Sequence, residues 1–198
     1  MRATQRSIRR AKLDLDDVDV LLQPVDDVLA RFDRLRTEKI DARRIRVHGE
    51  LHLGQILWSG TEVTFIDFEG EPGRPMGERR ILRSPLVDVA GVLRSVDYAG
   101  RSAIDTAVAR GLVAEGDVEA LDAGRRRWTT AVCDLISSTY LDTIEPAGLV
   151  PTERADAELL LGAYLLQKGL YETRYELANR PDWVHWPLSA VAAMIRGD

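Results

Sequence analysis

The feature that most constrains this chain is a double change of apolar period. From Val18 to Arg36, Leu21, Leu22, Val25, Val28, Leu29, Phe32 and Leu35 recur at helical spacing with Asp and Arg between them. That pattern predicts an amphipathic helix, with Pro24 marking a first turn or a kink. From Ile45 the period shortens. Ile45 and Val47 alternate with arginines, Gln55 to Trp58 is a short apolar run, and Val63, Phe65 and Asp67 alternate with Thr64 and Ile66. Gly49, Gly54 and Ser59-Gly60 supply the turns, so two or three short strands fit into about 25 residues. After Pro75 the helical period returns. Ser84-Pro85 is a strong helix start, since serine caps orphan amides and proline tolerates the first helical position. The spacing predicts helices over 84–98, 102–113, 118–141 (through Leu121, Trp128, Val132, Leu135 and Ile136) and 153–176, with a last one after Pro187. The fold class is therefore α+β, mainly helical around a small β unit. No linker suggests a second folding domain: residues 1–15 read as a loose N-terminal arm and 16–198 as one body.

Composition narrows the partners. A net charge of −5 carries no basic stripe of the kind a nucleic-acid reader uses. The runs Arg43-Arg44, Arg79-Arg80 and Arg125-Arg126-Arg127 are flanked by acids and read as solvated faces. The single cysteine, Cys133, has no partner for an internal disulfide and sits in an apolar-periodic segment, where a buried thiol is expected. Met1–Arg10 carries charge without an apolar core behind it, and no stretch reaches the length of a membrane span. The expectation is a cytoplasmic protein with no nucleic-acid or membrane partner.

Chemistry concentrates in the β unit. Val47-His48-Gly49-Glu50-Leu51-His52-Leu53-Gly54-Gln55 places an acid, two histidines and an amide in one turn region, and Asp67-Phe68-Glu69-Gly70 ends the next strand with two acids. A carboxylate beside a hydroxyl nucleophile can act as a base, and a second carboxylate with an amide oxygen suits Mg²⁺, which takes hard oxygen ligands. Equally, such residues cap turns and satisfy backbone groups. His48 and His52 lack the thiol or third histidine of a zinc site, and no Gly-x-Ser-x-Gly elbow supports a serine hydrolase.

His48-Gly49-Glu50-Leu51-His52-Leu53-Gly54-Gln55 resembles the catalytic loop of aminoglycoside-phosphotransferase-like kinases, and Asp67-Phe68-Glu69-Gly70 resembles their second metal-binding motif. More narrowly, Phe68-Glu69-Gly70-Glu71-Pro72, Ser84-Pro85-Leu86 and Asp88-Val89-Ala90-Gly91 are similar to bacterial maltokinases. So is the later run Tyr171-Glu172-Thr173-Arg174-Tyr175-Glu176 with Asn179-Arg180-Pro181-Asp182-Trp183. The resemblance implies the C-terminal lobe of a protein-kinase-like fold, transferring phosphate from ATP with Mg²⁺ to a small sugar, maltose first. It places such an enzyme in trehalose and glycogen metabolism, beside a trehalose synthase. It also implies roles: Glu50 as base, Gln55, Asp67 and Glu69 at the metal, His48 and Asp88 bracing the loop, and His52, Glu172, Tyr175, Glu176 and Trp183 at the substrate. Tyr171 and Tyr175 share one helix face with the acids beside them, equally a sugar cradle or a packed amphipathic helix.

The sequence departs from the family pattern at two places. Glu50 stands where the family carries aspartate. Nothing before His48 offers a glycine-rich loop or a Val-Ala-x-Lys strand, and residues 1–40 contain no glycine, so the N-lobe is expected to be absent or supplied separately or by fusion. An aminosugar such as glucosamine is the close alternative substrate, because Glu172 and Glu176 suit an ammonium group. A non-catalytic sugar- or partner-binding module is the alternative of a different class.

Overall fold

The computed structural model describes every residue except Asp14, Asp16, Pro72 and Asp198, together with the side chain of Glu115. Pro72 of the Phe68–Pro72 motif thus lies outside the described residues. The chain divides into two compact units. One joins Met1–Ile40 to Glu158–Asp198, and the other is Asp41–Ala157. The first unit is discontinuous, which is why no linker signalled it.

In the first unit, helix α1 (Arg2–Ala11) replaces the expected loose arm: its Thr4 and Ile8 are buried, and Thr4 donates to the Leu170 carbonyl at 3.2 Å. The predicted Val18–Arg36 helix is instead three short ones, α2 (Val18–Leu21), α3 (Val25–Ala30) and α4 (Arg34–Thr37). Pro24 sits at the N-cap of α3 in an extended conformation, so its ring breaks the helix rather than bending it. With α8 (Arg154–Asn179) and α9 (His185–Arg196) completing the helices, Ile8, Leu21, Val28, Leu166, Leu188, Val191, Ala192 and Ile195 form the core. α9 begins two residues before Pro187, which occupies the tolerated first turn.

The second unit opens with an isolated antiparallel bridge, Ile45 to Arg83, in place of the strand that the alternation around Ile45 predicts. A 3₁₀ turn (Leu53–Gln55) leads into a hairpin of β1 (Ile56–Trp58) and β2 (Val63–Phe65), in register Ile56–Phe65, Leu57–Thr64 and Trp58–Val63. After the short α5 (Met76–Arg79), α6 runs Leu86–Ala109, fusing two predicted helices, and packs on α7 (Val118–Ile144). Leu86, Val89, Ala90, Leu93 and Val96 bury one face of α6. On α7, Leu121, Trp128 and Leu135 are exposed, so its spacing predicts the helix and not its inner face.

Arg125 corrects the reading of the arginine run as a solvated face. It is buried and pairs with Asp97 at 2.8 Å and Asp122 at 2.6 Å, while Asp97 also holds Arg94 and Arg101 at 3.1 and 3.0 Å. Partial burial alone would raise the Asp122 carboxyl, but the hydrogen bond and charge of Arg125, with Arg126 behind it, hold it below its ordinary value. Burial, with Asp97 adding to it, pushes the half-buried Cys133 thiol up to about 11. At pH 8 its alkylation by iodoacetamide should therefore run about 100-fold slower than that of an ordinary thiol. Mass spectrometry checks this; equal rates in native and urea-unfolded protein would contradict the burial.

Candidate functional site

The loop that opens at His48 is held from both sides. Both oxygens of Asp88, in the first turn of α6, accept backbone hydrogen bonds: Oδ2 from the His48 amide at 2.7 Å and Oδ1 from the Gly49 amide at 2.8 Å. On the other side, His48 Nε2 lies 2.7 Å from the Ile66 carbonyl. A carbonyl only accepts, so Nε2 carries the proton and Nδ1 is left to accept the Glu50 amide at 3.4 Å. The buried imidazole also packs on Phe68 at 4.8 Å between centroids. His48 thus ties the start of this loop to the end of β2.

Two glycines make this closeness possible. Gly49 has φ 86°, a conformation costly for a residue with a Cβ. Gly91 on α6 lies under the Leu51 carbonyl, and a Cβ there would overlap that oxygen. Gly91→Ala should therefore cost about 1–3 kcal/mol and loosen the loop, read as a lower urea midpoint. An unchanged midpoint would show that the loop shifts freely away from α6.

Gln55 and Asp67 meet across the hairpin base, where Gln55 Nε2 donates to Asp67 Oδ2 at 2.9 Å. Asp67 adopts φ 64°, a left-handed conformation that aspartate tolerates better than most residues. The bond leaves Gln55 Oε1 and Asp67 Oδ1 without hydrogen bonds among the described residues, two hard oxygens of the type Mg²⁺ takes. Glu69 is exposed two residues on. Among the described residues no cluster of three His, Cys, Asp or Glu side chains has metal-binding spacing, so a cation at Gln55 and Asp67 would take its other ligands from outside these side chains. His52 Nδ1 accepts the Gly54 amide at 3.0 Å and caps the 3₁₀ turn that contains Gln55. Glu50 is half-buried at the loop's apex.

The other expected site residues belong to the first unit and form a cluster of their own. Tyr171 and Tyr175 stack at 6.3 Å, Lys168 lies over Tyr171 at 5.3 Å, and Glu172 is half-buried beside them. Glu176 is only 1% exposed and is gripped by Arg180 through two bonds of 2.8 and 2.7 Å. Arg180 also covers the rings of Trp183 at 4.4 Å and Tyr175 at 5.6 Å. Sequence reasoning missed Arg180; its spacing of four from Glu176 was the available signal.

Residues 2–128 match the model of the family described as phosphotransferase enzymes. The chain belongs to this phosphotransferase family. Among curated relatives, it is 33% identical over 163 residues to a glucosamine kinase of Streptacidiphilus jiangxiensis, covering 82% of this chain and 33% of that protein. To a glucosamine kinase of Mycolicibacterium smegmatis it is 31% identical over 150 residues, 75% of this chain and 34% of that protein. A solved glucosamine kinase in complex with glucosamine, ADP and inorganic phosphate superposes with a TM-score of 0.72 at 21% identity, covering 98% of this chain and 46% of that one. A second glucosamine kinase crystal form gives 0.70 at 22% identity, with 97% and 42% covered. The chain thus spans about a third of the length of the curated relatives it matches. Both of these relatives are glucosamine kinases by name, and neither is a maltokinase. Neither supports a trehalose synthase partner. Among the described residues, no helix is long and apolar enough to cross a membrane.

Proposed function

We propose that this chain is the C-terminal, catalytic-loop and sugar-binding portion of an ATP-dependent aminosugar kinase, with glucosamine as the first substrate. One observation carries the reading. In a member of the phosphotransferase family, His48 and Asp88 hold the loop that presents Glu50, while Gln55 and Asp67 pair at its base. The sugar hydroxyl oxygen attacks the γ-phosphorus, the bond from that phosphorus to the β-bridging oxygen breaks, and ADP departs. Glu50 receives the hydroxyl proton. Gln55 and Asp67 would hold Mg²⁺, which supplies charge neutralisation at the phosphates. On the first unit, Glu172 and Tyr175 are the residues we assign to the sugar, since a carboxylate suits an ammonium group. Glu176 is buried and bonded to Arg180, so Glu172, the more exposed of the two acids, is the one assigned to the ammonium group.

Glu50 carries one methylene more than the family's aspartate, and phosphoryl transfer depends chiefly on positioning. The chain also spans only part of its relatives, so ATP turnover by these 198 residues alone should be low. Adding or fusing a nucleotide-holding lobe should raise it, and Glu50→Asp should raise it further. In the lobe-completed protein, Asp67→Asn should lower transfer from ATP to glucosamine about 100-fold or more, because a neutral amide of equal volume cannot offset metal charge. Phosphorus NMR of the sugar phosphate reads this; near-unchanged transfer by a folded Asp67→Asn protein would make Asp67 structural. The maltose reading retains the likeness to maltokinases of the runs between Phe68 and Gly91 and between Tyr171 and Trp183, and maltose is the control substrate.

A further inference from the structure

Behind the loop that opens at His48, the second unit carries a half-open pocket of about 460 Å³. Its walls are apolar: Ile56 and Phe65 from the hairpin, Val89 and Val92 from α6, and Ile136 from α7. None of Glu50, Gln55, Asp67 or Glu69 lines it, so it is separate from the surface assigned to phosphoryl transfer. Its size falls within the range of small-molecule sites, about 300–1,000 Å³, and such sites pair apolar walls with a few placed polar groups.

Here the polar groups are Arg46, His48, Asp88 and Tyr140. Tyr140 is half-buried, and its hydroxyl has no hydrogen-bond partner among the described residues. Burial, and then the Asp88 charge, push that hydroxyl's pKa up, which keeps it protonated and able both to accept and to donate at neutral pH. Arg46 is exposed at the lining.

We propose that this pocket binds a small, uncharged, mostly apolar molecule with one hydrogen-bonding group, directed at the Tyr140 hydroxyl. Its occupancy is felt in the catalytic loop, because His48, Asp88 and Phe68 form part of the same wall. His48 and Asp88 are the residues that fix the loop's backbone, so a ligand packed against them favours one loop arrangement over others.

Indole, a flat bicycle with a single N–H, is the probe, and 1-methylindole is its counterpart without the donor. Titration of the folded chain by two-dimensional amide NMR should show saturable indole binding, with the Gly49 and Glu50 amides among the shifted resonances. Tyr140→Phe should weaken indole about 5–10-fold, the loss of one hydrogen bond, and leave 1-methylindole unchanged. Val92→Phe and Ile136→Phe, which fill the cavity from two different helices, should each weaken both probes about tenfold or more. Two separate fillings keep the test valid if one of them unfolds, which the amide spectrum itself reports. Indole binding that survives both fillings, with shifts confined to the exposed hairpin residues Trp58 and Val63, would overturn the proposal. So would equal losses of indole and 1-methylindole on Tyr140→Phe, or the absence of saturable binding.

Discussion

Asp88→Ala should lower the stability of the protein by about 3 kcal/mol and abolish phosphoryl transfer in the lobe-completed protein. The substitution removes the acceptor of two charge-assisted hydrogen bonds, from the His48 and Gly49 amides at 2.7 and 2.8 Å. Each such bond is worth about 1.5–3 kcal/mol, and water reaching the partly buried site offsets some of the loss. Against a typical total of about 5–15 kcal/mol, this is a large share. Asp88→Asn separates stability from geometry, since an amide offers one acceptor oxygen and loses the charge. It should keep part of the stability and still misplace Glu50. Urea unfolding measures the first quantity and ATP-to-sugar transfer the second. A folded Asp88→Ala protein with normal transfer would show that α6 does not position the loop.

Arg180→Ala should destabilise the first unit by about 2–4 kcal/mol, because it removes two charge-assisted bonds from the buried Glu176 carboxylate. The loss falls below the range for fully buried pairs because the Arg180 side chain is 45% exposed while that of Glu176 is 2% exposed. The double change Glu176→Gln with Arg180→Met should recover most of the loss, since removing both charges leaves no uncompensated ion. Thermal unfolding of the two single variants and the double variant gives the coupling. If Glu176→Gln alone leaves stability unchanged and weakens sugar binding, Glu176 is a sugar contact and not a structural partner of Arg180.

Local features of this chain were legible in its sequence, and tertiary ones were not. The start of α6 was readable because its cap is local: Ser84 Oγ accepts the Leu86 amide at 3.3 Å, two residues away. The turn glycines and the short period of the hairpin were readable for the same reason. The extent of α6 was not, because Gly100 and Arg101 resemble a helix end, yet packing on α7 carries the helix through them. The burial of Arg125 depends on Asp97, 28 residues earlier, and no local pattern distinguishes that arginine from its solvated neighbours. The split of residues 18–37 into three helices was half-visible in Pro24. The loop motif and the Asp67 motif were recognisable as a pair, but the bond between Gln55 and Asp67 that brings them together comes from the strand register. Arg180 escaped notice because the sequence shows its spacing from Glu176 but not that Glu176 is buried.

The central claim, an aminosugar site in a phosphotransferase, is tested most directly by calorimetric titration of glucosamine and maltose into the protein without nucleotide. Glucosamine should give saturable heat and maltose weak heat or none. A folded Glu172→Ala variant should lose about tenfold or more of its glucosamine affinity, the value of a charge-assisted contact. Saturable binding of maltose with none of glucosamine, or glucosamine binding indifferent to Glu172→Ala, would contradict it.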